Sequence, residues 1–368
     1  MYIFVCAGCG ARLTVPLSQV VLPAHAHQKY GNGVQLPVLM ESGTFAVDPK
    51  RLGPPWRRWD ETDPEEAAAR DIHAPSLSWS DGTPGTVVIA PGDTRGAVLI
   101  PEKAGGYCCG LDWGEGPNMA CEACGLPVAS RIDDCSLWQA VWLAPDAVSR
   151  LPVDNAAPTT LSWAELLVEG KRTPPYEPIT RWGSPLGSGH RWSWSPQWEA
   201  AAGRALAHLL AVSDGQPVTV PHGLTAEVFQ RALDALLPGG RPARHAVLAG
   251  PGLSGPDADA DILLVPIHPQ TGETWSPAGR PASTYPVPLP FGVWMWLAFP
   301  EPHLRLPASG TMPDGVVRDD PPVPHPHQLF QVDQGIFQHT LTQLPAARSP
   351  RLREILENLT QHMRFGLF

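Results

Sequence analysis

The sequence predicts an α+β protein built in two unequal parts, and three observations carry that expectation. Two CxxCG units, Cys6-Ala7-Gly8-Cys9-Gly10 and Cys121-Glu122-Ala123-Cys124-Gly125, stand far apart in the first part. Between them, short apolar runs alternate with Gly- and Pro-rich turns, the pattern of β-structure. Beyond about residue 195, apolar residues recur with the 3.6-residue period of helices. The expected units are residues 1–150 and residues 151–368.

The first unit opens with an apolar run, Tyr2 to Val5, a CxxCG unit, and a second run from Arg12 to Leu17, read as strand, turn, strand. Residues 20 to 105 form an insertion with strand-like runs at Val34 to Met40, Thr86 to Ala90 and Ala97 to Ile100. Turn signals at Gly31-Asn32-Gly33 and Asp81-Gly82 separate them. One short helix is expected after Asp63, which can cap it, with Pro64 at its first position. Leu137 to Leu143 reads as a closing strand, and the Pro-containing stretch Leu151 to Thr160 as a linker.

In the second unit, Ser195-Pro196 starts a helix with Trp198, Ala202, Ala205, Leu206, Leu209 and Leu210 on one stripe. Thr225 is expected to cap another, carrying Val228, Phe229, Leu233 and Leu237. Strands follow at His245 to Ala249 and Asp261 to Ile267, and Ser349-Pro350 opens a last amphipathic helix. Trp294 and Trp296, alternating around Met295, are expected to bury one face of a strand.

Composition narrows the function classes. The 368 residues carry a net charge of −10, and only 17% are charged against 43% hydrophobic. An acidic balance opposes non-specific nucleic-acid binding, which needs clustered Lys and Arg; Arg57-Arg58 and Arg348 to Arg353 are both short. The most apolar window, Phe291 to Phe299, falls far below the roughly 20 residues of a membrane span. No secretory leader is read at the start. Seven cysteines, an odd number, argue against a disulfide framework and for a reducing cytoplasm.

Two CxxC units supply the four thiolates of a tetrahedral Zn2+ site: Cys6, Cys9, Cys121 and Cys124. The glycine after each second cysteine permits the tight path that aims backbone N–H groups at sulfur. This paired pattern resembles the zinc-ribbon or rubredoxin-type module, over the two units and their flanking strands only. The resemblance implies a structural metal rather than a reaction. The expected architecture is thus a zinc-ribbon with a β-rich insertion followed by a mixed α/β C-terminal domain. The departure is the spacer of 111 residues between Cys9 and Cys121, which must fold as an inserted segment.

Other candidates are less complete. Cys108, Cys109 and Cys135 could form a second metal site with a histidine, or be ordinary buried thiols, and the glycine-rich loop around them could line a pocket. His25 and His27, like His325 and His327, have the HxH spacing of metal ligands but no matched carboxylate, which favours exposed loop histidines. Gly250 to Gly255 matches GxGxxG, yet a strand follows instead of a helix, so it reads as a turn. Asp257, Asp259 and Asp261 lack the glycine and glutamate of a calcium loop. Trp182, His190, Arg191, Trp192, Trp194 and Trp198 could form an aromatic platform for a ligand, against the plainer role of filling the core around loops.

With a closed ligand set and no complete catalytic motif, the expected role is a zinc-binding interaction protein. Its partner would be another protein or a small molecule. The alternative is a metalloenzyme, hydrolase or oxidoreductase, using the second cysteine site. Nucleic-acid binding through the ribbon ranks third.

Overall fold

The computed structural model describes the chain apart from residues 32, 52, 54, 60–61, 76–77, 107, 109, 115, 154–159, 180–190, 242, 256–258, 278–283, 301–325, 327 and 365–368. It also leaves aside the side chains of residues 78, 178, 191–192 and 360–364. Helices and sheets are both present, as an α+β chain requires.

The first strands are β1 (Tyr2–Cys6), β2 (Ser18–Gln19), β3 (Thr44–Arg51) and β4 (Trp56–Arg58). Helix α1 (Pro64–Ala68) follows, capped by Asp63, whose carboxylate accepts from the Glu65 N–H. Next come β5 (Ser78–Ser80), β6 (Pro84–Ile89), β7 (Ala97–Leu99), β8 (Met119–Cys121), β9 (Pro127–Ile132), β10 (Ala140–Leu143) and β11 (Val148–Pro152). Among the described residues, seven strands form one sheet in the order β2-β3-β6-β10-β9-β8-β7, and β1 pairs antiparallel with β11 outside it.

The period of two divides this sheet into two faces. Phe45, Ile89, Val141 and Leu143 join Phe4 and Leu13 in one core, while Ala46, Val88, Ala140 and Trp142 join Leu36 and Trp138 in another. Burial on both faces explains why Thr86 to Ala90 and Ala140 to Leu143 read as continuous apolar runs. Two expected strands are only isolated bridges: Arg12 to Leu17 bridges at Arg12, Thr14 and Leu17, and Val34 to Met40 at Val34 and Val38. Pro16 and Pro37 interrupt them, each lacking the N–H a ladder needs. The expected linker begins as β11, with Leu151 opposite Ile3 and Pro152 opposite Tyr2. Its residues are mostly exposed, so no hydrophobic pattern announces it.

The later elements are α2 (Trp163–Glu169), β12 (Tyr176–Ile179), β13 (Arg191–Trp194), α3 (Pro196–Ser213), β14 (Val218–Thr219) and α4 (Leu224–Leu236). Then follow β15 (Arg244–Leu248), β16 (Ile262–Ile267), β17 (Tyr285–Pro290), α5 (Phe291–Ala298), α6 (Gln334–Gln343) and α7 (Pro350–Arg364). Strands β14 to β17 make a parallel sheet in sequence order. Pro286, Pro288 and Pro290 are compatible with β17 because, among the described residues, it pairs with β16 alone and can leave alternate positions facing outward. Helix α3 is alanine-rich and buried around most of its circumference. It approaches α6 so closely at Gly203 that a Cβ there would lie 2.6 Å from the Asp333 carbonyl oxygen.

Two local expectations are corrected. Trp294, Met295 and Trp296 lie on α5, not on a strand, because a short run that is buried throughout carries no period to tell the two apart. The N-cap of α4 is Gly223, at φ 83°, and Thr225 is buried inside the first turn.

Gln28, 1% exposed, links the start of α3 to Trp138, which packs on the seven-stranded sheet. Its amide donates to the Pro196 carbonyl at the start of α3 (2.9 Å) and accepts from the Trp138 indole (3.1 Å). A buried amide satisfied on both sides fixes the relation of its neighbours.

The GxGxxG turn has a packing explanation. A Cβ on Gly250 would fall 2.0 Å from the ring of the fully buried Trp294, whose indole donates to the Ala249 carbonyl (3.1 Å). Gly250→Ala should therefore destabilise the chain by about 3 kcal/mol through overpacking and leave its metal content unchanged. Thermal unfolding and elemental analysis check both; an unaltered melting temperature would mean that the ring yields.

Candidate metal centre and inter-part cleft

Each CxxCG unit is a tight turn made by the same bonds. The Gly10 N–H donates to the Cys6 carbonyl and the Gly125 N–H to the Cys121 carbonyl, both at 2.8 Å, and both glycines sit at φ 76°. That conformation is costly for side chains other than glycine. The Cys6 N–H donates to Ala11 and the Cys121 N–H to Leu126, again at 2.8 Å, closing the turns.

The two units rise from different sheets, Cys6 ending β1 and Cys121 ending β8. Their sulfurs nevertheless converge: Cys6 Sγ is 3.6 Å from Cys124 Sγ, Cys9 Sγ is 3.7 Å from Cys121 Sγ, and all four lie within 4.8 Å of one another. A tetrahedron of thiolates at 2.3 Å from a metal has edges of about 3.8 Å. The donor set and spacing therefore fit such an ion. Cys6 and Cys121 are buried in the core beneath, and Cys9 and Cys124 are exposed above it. Burial opposes ionisation of Cys6, but the N–H groups of Gly8 and Cys9 and the thiols of Cys124 and Cys121 bring it down to about 7.

A second cluster joins Cys108, Asp134 and Cys135, whose ligand atoms also lie within 4.8 Å of one another. Cys108 Sγ and Cys135 Sγ are 3.5 Å apart, and the Asp134 carboxylate accepts from the Cys135 N–H at 2.8 Å. Glycine makes this approach possible. A Cβ on Gly110 would fall 1.9 Å from the Asp133 carbonyl oxygen, so the loop lies backbone against backbone on Asp133 to Cys135. Asp134 was not among the expected ligands, and Cys109 lies outside the described residues.

The tryptophan segment does not present a platform from the side chains that are described. Trp194 and Trp198 are 2% and 0% exposed, and their indoles donate inward to the Gln328 and Thr173 carbonyls at 2.8 and 2.9 Å. Buried rings with satisfied N–H groups are core. Trp182 and His190 lie outside the described residues, as do His325 and His327 and the side chains of Arg191 and Trp192. His25 and His27 are half-buried rather than exposed. His25 packs on Trp138 with ring centroids 4.3 Å apart, and burial lowers it to about 3; His27 stacks on Trp142 at 5.6 Å. Asp259 is exposed, whereas Asp261 accepts from the His245 N–H and lies 3.4 Å from Arg244; Asp257 is outside the described residues.

His27 belongs instead to a group that no motif announces. It lies beside Asp48 at the wall of a cavity of about 1550 Å³, where Lys50, Arg204, His208 and His339 also reach the surface. These residues come from β3, α3, α6 and the loop before β3, scattered over more than 300 positions, so no spacing could reveal them.

No family model matches the sequence, and neither a curated protein nor a solved structure matches it. No helix among the described residues is long and apolar enough to cross a membrane.

Near Gln28, burial and then the charge of Asp333 push the Glu199 carboxyl up to about 8, while Tyr30 opposes the shift and Glu177 adds to it. The folded chain thus holds a proton that the unfolded chain releases above about 4.5. The associated stability is fully present below 4.5 and is lost as pH rises through 8. Glu199→Gln should flatten that fall and, by pH 8, raise stability by about 2 kcal/mol, as read by denaturant unfolding across pH. Parallel curves for the two chains would contradict the assignment.

Proposed function

We propose that Cys6, Cys9, Cys121 and Cys124 hold one Zn2+ as a structural clasp, and that the chain is a binding protein. The convergence of four thiols from two sheets carries the reading. A closed set of four thiolates suits zinc and leaves no position for water, so the ion contributes folding energy rather than chemistry. Similarity to a zinc-ribbon is restricted to the two turns. The partner is a small molecule or a protein held between the two parts, in a cytoplasmic setting; the net charge of −10 places nucleic acid last. Purified chain should lose one zinc on Cys121→Ser, with hydrogen exchange rising in β1, β8 and β11 before α3. Unchanged zinc in that variant would overturn the clasp.

A second reading, that of a metalloenzyme, is favoured by Cys108, Asp134 and Cys135. Two sulfurs and an oxygen leave a fourth position open, as catalytic zinc sites do. It predicts two metals per chain, one lost on Cys121→Ser and the other on Cys135→Ser. A wild-type ratio of one, unaffected by Cys135→Ser, would reject it.

A further inference from the structure

The cavity of about 1550 Å³ opens between the seven-stranded sheet and the helices α3 and α6. Six Lys and Arg residues line it against three Asp and Glu; Arg70 is paired with Glu66 and Asp81 outside the lining, which leaves a smaller basic excess inside a chain of net charge −10. A register shift between Asp48 and Arg51 interrupts the alternation of β3, and both Asp48 and Lys50 line the cavity there. The Lys50 ammonium meets His339 Nε2 at 3.2 Å and donates to the Gln343 side chain, both on α6. Arg204 and His208, one turn apart on α3, reach the same cavity.

Counter-charge is short at this wall. Asp48 is fully buried and already engaged: it accepts from the Lys50 N–H at 3.0 Å, and His27 Nε2 lies 2.8 Å from its other oxygen, off the line of a hydrogen bond. Arg204 has no hydrogen bond or ion pair among the described residues. Lys50 stands at the exposed rim of the cleft, where desolvation and then the charge of Arg204 lower it, against the attraction of Asp48. Burial first and the charge of Arg204 second lower His208 to about 4, so it offers a hydrogen bond rather than charge, and His339 at the exposed rim presents its ring beside Lys50. Two cations that disfavour one another, with one occupied carboxylate nearby, are stabilised by an added anion.

We propose that Lys50, Arg204, His208 and His339 form the recognition wall for the oxyanion, phosphate or carboxylate, of a small-molecule ligand. Its organic body meets Val20, Pro49, Ile72 and Leu344 on the remaining wall. The volume exceeds the roughly 300–1,000 Å³ of ordinary ligand pockets, which leaves room for an organic body beside the anion. The inference rests on the reading of this chain as a binding protein and is independent of the metal.

The test uses the full chain, with pyrophosphate and citrate as probes in low-salt calorimetric titrations. One saturable site is expected for at least one probe, weakened tenfold or more by Arg204→Gln or Lys50→Gln and largely retained by Arg204→Lys. Preference for pyrophosphate assigns a phosphate, preference for citrate a carboxylate. Without anion, Arg204→Gln should melt no lower than wild type, because one of two facing cations is gone. Absence of binding at millimolar probe, equal affinity in the Gln variants, or a marked loss of stability in Arg204→Gln without anion would each overturn the proposal. Zinc content, unchanged in all variants, keeps such a failure separate from failure of the clasp.

Discussion

Four thiols within 4.8 Å of one another are the constraint on which the N-terminal part depends. Thiolates at that separation repel, and thiols on exposed turns have little reason to converge, so the arrangement asks for a cation. The consequence is topological. Cys6 ends a two-stranded pair and Cys121 ends a strand of the seven-stranded sheet, so a shared ion would tie the two sheets together. The buried pair, Cys6 and Cys121, sits on the same apolar core as Phe4, Leu13 and Val128. Metal and core would then act on the same few strands.

The seven-stranded sheet explains why such a distant pairing is reachable. The insertion between the turns contributes β3, β6 and β7, which flank the strands around Cys121 in one hydrogen-bonded array. The 111 intervening residues are therefore the body on which both turns are mounted. Glycine marks the places where backbones must touch: Gly110 against Asp133, Gly203 against Asp333, and Gly250 under Trp294.

Features with short-range causes were legible in the sequence. The paired CxxCG units, the Asp63 cap, the helix opening at Pro196 and the runs of β6 and β10 each depend on neighbours within a few residues. Features decided by tertiary partners were not. β11 is a strand because β1 lies beside it, although its own residues are mostly exposed. α5 is a helix whose buried run carries no period. Trp194 and Trp198 looked like a surface because aromatic residues crowd together there, and their burial is set by α3 and by the chain near Gln328. Asp134 as a third donor beside Cys108 and Cys135 required the loop glycines to be placed in space.

The cleft lies furthest from what a sequence can reveal, yet the same sheet builds it. On β10, Val141 and Leu143 point toward the core beneath the cysteines, and Trp142 points the other way, where His27 stacks on it. On β3, Phe45 serves the first face while Ala46 and Asp48 serve the second. Strand pleating thus separates a cysteine-bearing face from a cleft-bearing face by the thickness of one backbone. The opposite wall is supplied by α3 and α6, locked together where Gly203 meets Asp333, and joined to the sheet side through Gln28. Neither wall alone assembles Lys50, Arg204 and His339. The cleft is a property of how the seven-stranded sheet and the helices α3 and α6 meet.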